Sequence, residues 1–243
     1  LRTHGVMMGV VATDESPPEA LDRLKDLPSY DDIDFVKQVS TEQPYDWDQE
    51  GGADHKYRIV VDDYGLKYNI LRILREKGCE VTAVPSTTTA DDILARKPDG
   101  VLLSPGPGDP ELLDYAVATA KGLIGKVPIM GICLGNQVLG RAFGAKTFKL
   151  KFGHRGGNHP VRDNRTGLVH ITAQNHGYSV DGDSLPSEVE VSHVNLNDGT
   201  VEGLRHKSLP VMSIQYHSEA SPGPYDNKYL FDEFLALVRD AKA

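Results

Sequence analysis

The stretch that decides the fold is Val127-Pro128-Ile129-Met130-Gly131-Ile132-Cys133-Leu134-Gly135. Its first half is an apolar run typical of a buried strand, and a helical pattern over residues 137–143 follows. The glycines on either side of Cys133 permit the sharp strand-to-helix turn that exposes a nucleophile at the end of a sheet. A helix N-terminus favours negative charge, so the thiol is predicted to be reactive. The alternative interpretation is a buried cysteine packed between two small residues.

Similar segments alternate along the chain before this motif. Apolar strand patterns at residues 58–61, 80–84 and 101–103 alternate with helical patterns at 67–76, 90–95 and 112–123. This order predicts an α/β fold, in which a parallel sheet carries helices on both faces. From Lys146 onward, short strands are predicted, with a hairpin at Asn197-Asp198-Gly199 and a final helix over residues 229–238.

The first part of the chain has a different pattern. It predicts a strand at residues 6–12, short helices starting at Ser16 and covering 31–37, and a Pro-, Gly- and Asp-rich linker at 42–55. We therefore divide the chain into a leading segment, residues 1–57, and a main domain, residues 58–243.

Composition excludes several classes of function. Among the 243 residues, 26 Lys and Arg against 35 Asp and Glu give a formal charge of −9, which disfavours binding to nucleic acid or to anionic membranes. No run of 18 apolar residues occurs, so no membrane span is predicted. Two cysteines cannot form a disulfide framework, and Cys79 has a purely structural setting. A cytoplasmic location is expected.

A cysteine nucleophile needs a base and a group that orients the base. His217 follows the strand-like run at residues 211–216, and Glu219 lies two positions later, on the same side of an extended segment. A surface His–Glu pair is the alternative. The loop from Ser104 to Pro110 follows another strand, and the backbone N–H of Gly106 could help stabilise an oxyanion. The alternative for that loop is an ordinary tight turn.

A metal site is not expected. His154 and His159 are not at helical ligand spacing, and no cysteine lies near them in the sequence.

Taken together, these motifs resemble the triad type of class I glutamine amidotransferase. Further segments resemble the small, glutamine-hydrolysing subunits of carbamoyl phosphate synthetases: residues 36–40, 62–70, 151–161, 172–177 and 221–224. The resemblance runs from residue 1 to the last helix. It implies a flavodoxin-like, doubly wound and mostly parallel sheet, preceded in residues 1–57 by a remnant of the small-subunit N-terminal domain.

The resemblance also implies residue roles. Cys133 would be the nucleophile, His217 the base and then the acid, and Glu219 the orienting carboxylate. Glutamine would be contacted by Gly106, Gly108, Leu134, Gln137, Asn175, Gly177 and Tyr178. Ammonia would pass to a large subunit, the expected partner, which uses ATP and Mg²⁺ with bicarbonate. No cofactor is expected in this chain.

The sequence departs from the family pattern in three places. Asn136 replaces a histidine beside the motif, and Ser218 replaces a proline between the base and its orienting carboxylate. The chain starts at Leu1, and most of the family's N-terminal domain is expected to be missing. Two alternatives stay open: an amidotransferase that serves another synthase, and a non-catalytic remnant that only binds a partner.

Overall fold

The computed structural model describes residues 2–47 and 55–242. Its α-helices are α1 (Pro17–Lys25), α2 (Val36–Val39), α3 (Tyr68–Glu76), α4 (Ala90–Ala95), α5 (Asp114–Leu123), α6 (Leu134–Ala142) and α7 (Tyr229–Lys242). Its strands are β1 (Tyr45–Asp46), β2 (Tyr57–Asp63), β3 (Cys79–Pro85), β4 (Gly100–Leu103), β5 (Ile129–Ile132), β6 (Thr147–Asp163), β7 (Val169–Val180), β8 (Val189–Asn195), β9 (Val201–His206) and β10 (Val211–Ile214). Short 3₁₀ turns cover Tyr30–Asp32, Pro110–Leu112 and Gly182–Ser184.

All ten strands form one sheet, in the order β1-β3-β2-β4-β5-β10-β9-β8-β6-β7. The run β3-β2-β4-β5-β10 is parallel throughout, and it has the flavodoxin-like strand order. The α/β fold expected from the sequence is confirmed. The sheet is nevertheless mixed rather than mostly parallel, since β1 and the four strands beyond β10 are antiparallel to their neighbours.

The parallel half is buried on both faces. Ile59 and Val61 of β2 point into one core with α3 and α7, whereas Val60 points into the other with α4, α5 and α6. All three side chains are fully buried, as expected for a central strand whose successive residues face opposite layers. Of the helices within the described ranges, none has the length and apolar character needed to cross a membrane.

The antiparallel half differs from the sequence prediction. Strands β6 and β7 have 17 and 12 residues and pair as a long ribbon, where short strands were predicted. Register shifts between Lys149 and His154, and between Gly156 and His159, interrupt the ribbon. Such bulges hide the alternation that would identify a long strand. The predicted hairpin at residues 197–199 is confirmed, because it joins β8 to β9.

The leading segment also needs corrections. Residues 6–12 do not form a strand, although the Val6 N–H donates to the Lys151 carbonyl at 3.1 Å. The helix predicted over 31–37 is a 3₁₀ turn followed by α2. Within the predicted linker, Tyr45 and Asp46 form β1 on the edge of β3, and residues 48–54 lie outside the described residues. The boundary between 1–57 and 58–243 stays a prediction.

Candidate active site

Cys133 lies between β5 and α6 at the carboxyl end of the parallel strands. Its backbone has φ 54° and ψ −103°, a conformation that side-chain-bearing residues rarely adopt. The two neighbouring glycines make this turn possible: a Cβ on Gly131 would lie 2.6 Å from the carbonyl oxygen of Gly135. Helix α6 therefore begins at Leu134, three residues earlier than the sequence predicted, and Cys133 occupies its N-cap position.

The predicted base lies beside the nucleophile. Strand β10 pairs in parallel with β5, and the Cys133 N–H donates to the Ile214 carbonyl at 2.8 Å. The chain continues to His217, whose own N–H donates to the Ala173 carbonyl at 2.9 Å. This pairing brings the nucleophile and His217 to the same end of two adjacent strands.

Glu219 fixes the tautomer of His217. The Nδ1 atom of His217 lies 2.6 Å from Glu219 Oε1, and because an ionised carboxylate can only accept, Nδ1 carries the proton. Burial lowers the pKa of His217, but the charge of Cys133, its hydrogen bond to the ring and the Glu219 carboxylate outweigh burial and raise the pKa to about 10. The ring is thus an imidazolium at neutral pH, paired with the sulfur.

Lys67 completes this charge arrangement, and the sequence analysis missed it. Its Nζ lies 3.0 Å from Glu219 Oε1 and 2.6 Å from the Ala220 carbonyl oxygen. The Glu219 side chain is fully buried. Burial raises the pKa of this carboxyl, but His217 and Lys67 together outweigh burial and hold the pKa below its ordinary value. Lys67 follows β2, and its sequence context gave no sign that it would reach residues so distant in the chain.

The predicted oxyanion donors are the backbone N–H groups of Gly106 and Leu134, and their role stays a prediction. Leu134 is the first residue of α6, so its N–H has no intrahelical acceptor. Gly106 approaches the motif closely, since a Cβ there would lie 2.8 Å from Leu134 Cδ2. Only glycine allows this approach.

A cavity of about 700 Å³ opens above Cys133 and His217. Six of the seven predicted glutamine contacts line it: Gly106, Gly108, Gln137, Asn175, Gly177 and Tyr178. The seventh, Leu134, does not line the cavity with its side chain and would contribute through its backbone. A cavity of this size accommodates an amino acid. Which of these residues contact glutamine stays a prediction.

The leading segment closes one side of the cavity. Residues 6–8 and 29–31 line it, and the Tyr178 hydroxyl donates to Asp31 Oδ1 at 2.5 Å. Lys149 pairs with the same carboxylate. The hydrogen bonds from Lys149 and Tyr178 hold the pKa of Asp31 below its usual range. Asp31 was not predicted from the sequence, because nothing in its local pattern distinguishes it from the other acidic residues of the leading segment.

Two of the three departures from the family pattern, Asn136 and Ser218, lie within the packed interior. Asn136 is buried, donates to Gln215 Oε1 at 3.1 Å and accepts from Ser213 Oγ at 2.8 Å. Its side chain therefore links α6 to β10 and to the residue that follows β10. Gln137 donates to the Tyr178 carbonyl at 2.8 Å. Ser218 is fully buried, and its hydroxyl has no hydrogen-bond partner within the described part of the chain.

The two cysteines have different surroundings. Cys79 is fully buried at the start of β3, and burial raises the pKa of its thiol to about 11, so it is protonated and inert at neutral pH. A separate group of potential metal ligands occurs within residues 2–47 and 55–242: His154, His176 and Glu202. Burial lowers the pKa of His176 to about 4, so this ring is neutral.

These features define a class of protein. A family model described as "Glutamine amidotransferase class-I" matches residues 59–237, and the chain belongs to this family. Two solved structures share the fold. A glutamine amidotransferase from Thermotoga maritima has a TM-score of 0.55 at 19% identity, covering 78% of this chain and 86% of that one. A Thermoplasma acidophilum protein described as a component of GMP synthase has a TM-score of 0.68 at 24% identity, covering 78% and 98%.

The curated relatives are more specific. The chain is 50% identical over 255 residues to the chloroplastic carbamoyl phosphate synthase small chain of Arabidopsis thaliana, matching all of this chain and 59% of that protein. It is 48% identical over 248 residues to the carbamoyl phosphate synthase small chain of Akkermansia muciniphila, matching all of this chain and 67% of that protein. The chain thus spans about six tenths to two thirds of the length of these relatives.

Proposed function

We propose that this chain hydrolyses the side-chain amide of L-glutamine and supplies the ammonia for carbamoyl phosphate synthesis. The observation that carries the proposal is the strained Cys133 beside His217, whose Nδ1 is held by Glu219 at 2.6 Å. A purely structural cysteine has no need for this backbone conformation or for an imidazolium beside it.

In the first half of the reaction, the Cys133 thiolate attacks the side-chain carbonyl carbon of glutamine. The oxygen becomes an oxyanion, and the N–H groups of Gly106 and Leu134 stabilise it. His217 then donates its Nε2 proton to the nitrogen, the C–N bond breaks, and ammonia leaves. A γ-glutamyl thioester remains on Cys133.

In the second half, His217 is neutral after giving up its proton, and it takes a proton from water. The hydroxide attacks the thioester carbon through a second oxyanion. The C–S bond breaks, glutamate leaves and its new carboxyl group releases its proton to solvent, and the thiolate–imidazolium pair is restored. Glu219 keeps Nδ1 protonated throughout, so Nε2 exchanges protons in both halves.

The names of the curated relatives support the choice of partner. We propose a carbamoyl phosphate synthetase large subunit, which would consume the ammonia with bicarbonate and use ATP and Mg²⁺, so that the reaction at Cys133 needs no cofactor in this chain. The product would feed pyrimidine and arginine biosynthesis. Two thiols without a disulfide suit a reducing compartment, and we propose the cytoplasm.

The first experiment tests glutamine hydrolysis by the isolated chain. We expect slow release of glutamate, abolished in Cys133→Ala and retained in Cys79→Ala, a matched control that removes the other, buried thiol. Equal activity in Cys133→Ala and in the unmodified chain would contradict the proposal. A folded chain without any glutaminase activity, even with a large subunit present, would favour the partner-binding remnant.

The second experiment tests the partner. The chain is mixed with a carbamoyl phosphate synthetase large subunit, and glutamine-dependent carbamoyl phosphate is measured, with ammonia as the positive control for the large subunit. Carbamoyl phosphate formed from glutamine only when both proteins are present would support the pairing. Glutaminase activity that couples instead to another synthase would favour the alternative amidotransferase.

A further inference from the structure

A second cluster of chemically competent side chains lies behind one wall of the cavity. His154 of β6 and His176 of β7 are direct partners in the ribbon. The side chain of Glu202, on β9, lies within 4.8 Å of both rings. The His154 Nδ1 atom lies 3.2 Å from His176 Nε2 and 3.4 Å from Glu202 Oε1. The three side chains are buried, and Glu202 is fully so.

The tautomers follow from the outer partners of the two rings. His176 Nδ1 lies 2.8 Å from the Tyr178 carbonyl oxygen, which can only accept, so Nδ1 carries the proton and Nε2 has a lone pair. His154 Nε2 lies 2.8 Å from Asp198 Oδ2, so this nitrogen carries a proton as well. Three atoms therefore face one another: Nε2 of His176 with its lone pair, Oε1 of Glu202, and Nδ1 of His154.

This convergence favours a cation, because the one amide contact at His154 Nδ1, from Asn195 Nδ2, is long at 3.4 Å and does not offset the meeting of the other acceptors. Without one, two imidazole lone pairs and a carboxylate oxygen would meet in a buried space, which is strongly unfavourable. Either an additional proton on His154 Nδ1 or a metal ion resolves the conflict. We propose that His154, His176 and Glu202 form a site for a divalent cation of the zinc class.

Two of the three ligand spacings suit a tetrahedral ion, and the third is within 4.8 Å. With metal–nitrogen bonds of about 2.0 to 2.1 Å, neighbouring ligands of a tetrahedral zinc lie about 3.3 Å apart. The two distances at His154 Nδ1, 3.2 and 3.4 Å, lie on either side of that value. Two histidines and one carboxylate are a common ligand set for zinc, with water as the fourth ligand.

All three ligands are also oriented from behind, as metal ligands usually are. Asp198 holds the outer nitrogen of His154, and the Tyr178 carbonyl holds that of His176. Glu202 is held through both oxygens: Asn195 Nδ2 donates to Oε1 at 2.8 Å, and Gln174 Nε2 donates to Oε2 at 2.9 Å. Each ligand thus keeps its geometry without the ion.

The ion would join β6, β7 and β9 in the antiparallel half of the sheet. It would stabilise the wall that carries Asn175, Gly177 and Tyr178, since His176 lies within that segment and lines the cavity itself. The role is structural support of the glutamine-binding wall, separate from the chemistry at Cys133.

The test uses the full chain carrying Cys133→Ser, so that the catalytic thiol cannot bind metal. The protein is stripped with a chelator and titrated with Zn²⁺, and bound zinc is measured by mass spectrometry after gel filtration. We expect one ion per chain, lost in His176→Gln and in Glu202→Gln. His170→Gln, a histidine substitution on the same strand outside the cluster, keeps one ion. Asp198→Asn weakens binding about 10- to 100-fold.

Titration with Co²⁺ gives a second readout that needs no ligand variant. A four-coordinate site with nitrogen and oxygen ligands gives intense visible absorption without a sulfur charge-transfer band. No bound zinc together with no such absorption would mean that a proton alone holds the cluster, which overturns the proposal. Zinc bound equally by the Cys133→Ser protein and by folded Glu202→Gln places the ion elsewhere and overturns it too. If the ligand variants do not fold, the cobalt spectrum decides.

Discussion

Gly106→Ala tests the oxyanion site most directly. The new Cβ would lie 2.8 Å from both the Tyr64 carbonyl carbon and Leu134 Cδ2, and closer still to the Tyr64 carbonyl oxygen. Backbone cannot yield as a flexible side chain does, so the Gly106 loop must move by about 1 Å, enough to cost about 100-fold in rate. Loss of one oxyanion donor costs about 100- to 1,000-fold in kcat. We expect glutaminase kcat to fall within that range.

The assay separates catalysis from folding. Alkylation of Cys133 by iodoacetamide needs the thiolate but develops no oxyanion, so its rate should stay near that of the unmodified chain. Gly157→Ala is the matched control, because the nearest atom to its Cβ is Pro224 Cδ at 4.0 Å. If Gly106→Ala kept most of its kcat, the reasoning about this loop would be refuted. If alkylation fell together with kcat, the loop would position the thiolate rather than the oxyanion.

Three further predictions concern the charges around His217. Glu219→Gln removes the carboxylate that fixes the tautomer, and we expect glutaminase kcat to fall about 100- to 10,000-fold. Lys67→Met leaves Glu219 with one partner fewer, and we expect a loss of about 2 kcal/mol in the free energy of unfolding, measured with urea. Since the pKa of His217 rises from 6.5 to about 10 on folding, the stabilisation by the protonated imidazole is full below pH 6.5 and is lost as the pH rises through 10. The stability difference between the unmodified chain and His217→Gln should therefore shrink over that range.

Each of these has a clear contrary result. Wild-type kcat in Glu219→Gln would mean that the backbone alone orients His217. An unchanged free energy of unfolding in Lys67→Met would mean that the ion pair between Lys67 and Glu219 gives no net stabilisation. A stability difference that stays constant from neutral pH up to the pKa of about 10 would mean that His217 is neutral in the folded protein.

The sequence predicted the parallel half well, because burial there leaves a strong local signal. The apolar run around Ile59 to Val61 indicates a buried central strand, and it forms the middle of β2. Helix α4 has the predicted bounds, residues 90–95. The start of α6 was placed too late, because Leu134 and Gly135 do not look helical until the turn at Cys133 is known. That turn depends on the approach of Gly131 to Gly135, which local propensity does not encode.

The antiparallel ribbon and the leading segment were predicted less well. The stretch Gly153 to His159 looks like a loop, yet it pairs with β7 through bulges. The β-branched residues near Val6 favour a strand, but a strand needs a partner, and one hydrogen bond to Lys151 does not provide a ladder.

The site residues, too, were predictable where the signal is local and not where it depends on contacts between distant residues. Cys133, His217 and Glu219 could be proposed because they lie in recognisable local patterns. Lys67 and Asp31 could not, because each acts through a contact with a residue far away in the chain. The histidines at 154 and 176 were visible in the sequence, but their meeting with Glu202 depends on the register of three strands.

The pairing of β5 with β10 has a mechanical consequence. Cys133 is bonded through its N–H to Ile214, and His217 continues from the same strand, so nucleophile and base belong to one rigid block. Relative motion between them would have to break the centre of the sheet. The cavity's opposite side, residues 6–8 and 29–31, is held by the Tyr178 hydrogen bond and the Lys149 ion pair to Asp31, and by the hydrogen bond from the Val6 N–H to the Lys151 carbonyl. We therefore expect any opening of the cavity to occur at that side, while the distance between nucleophile and base stays constant.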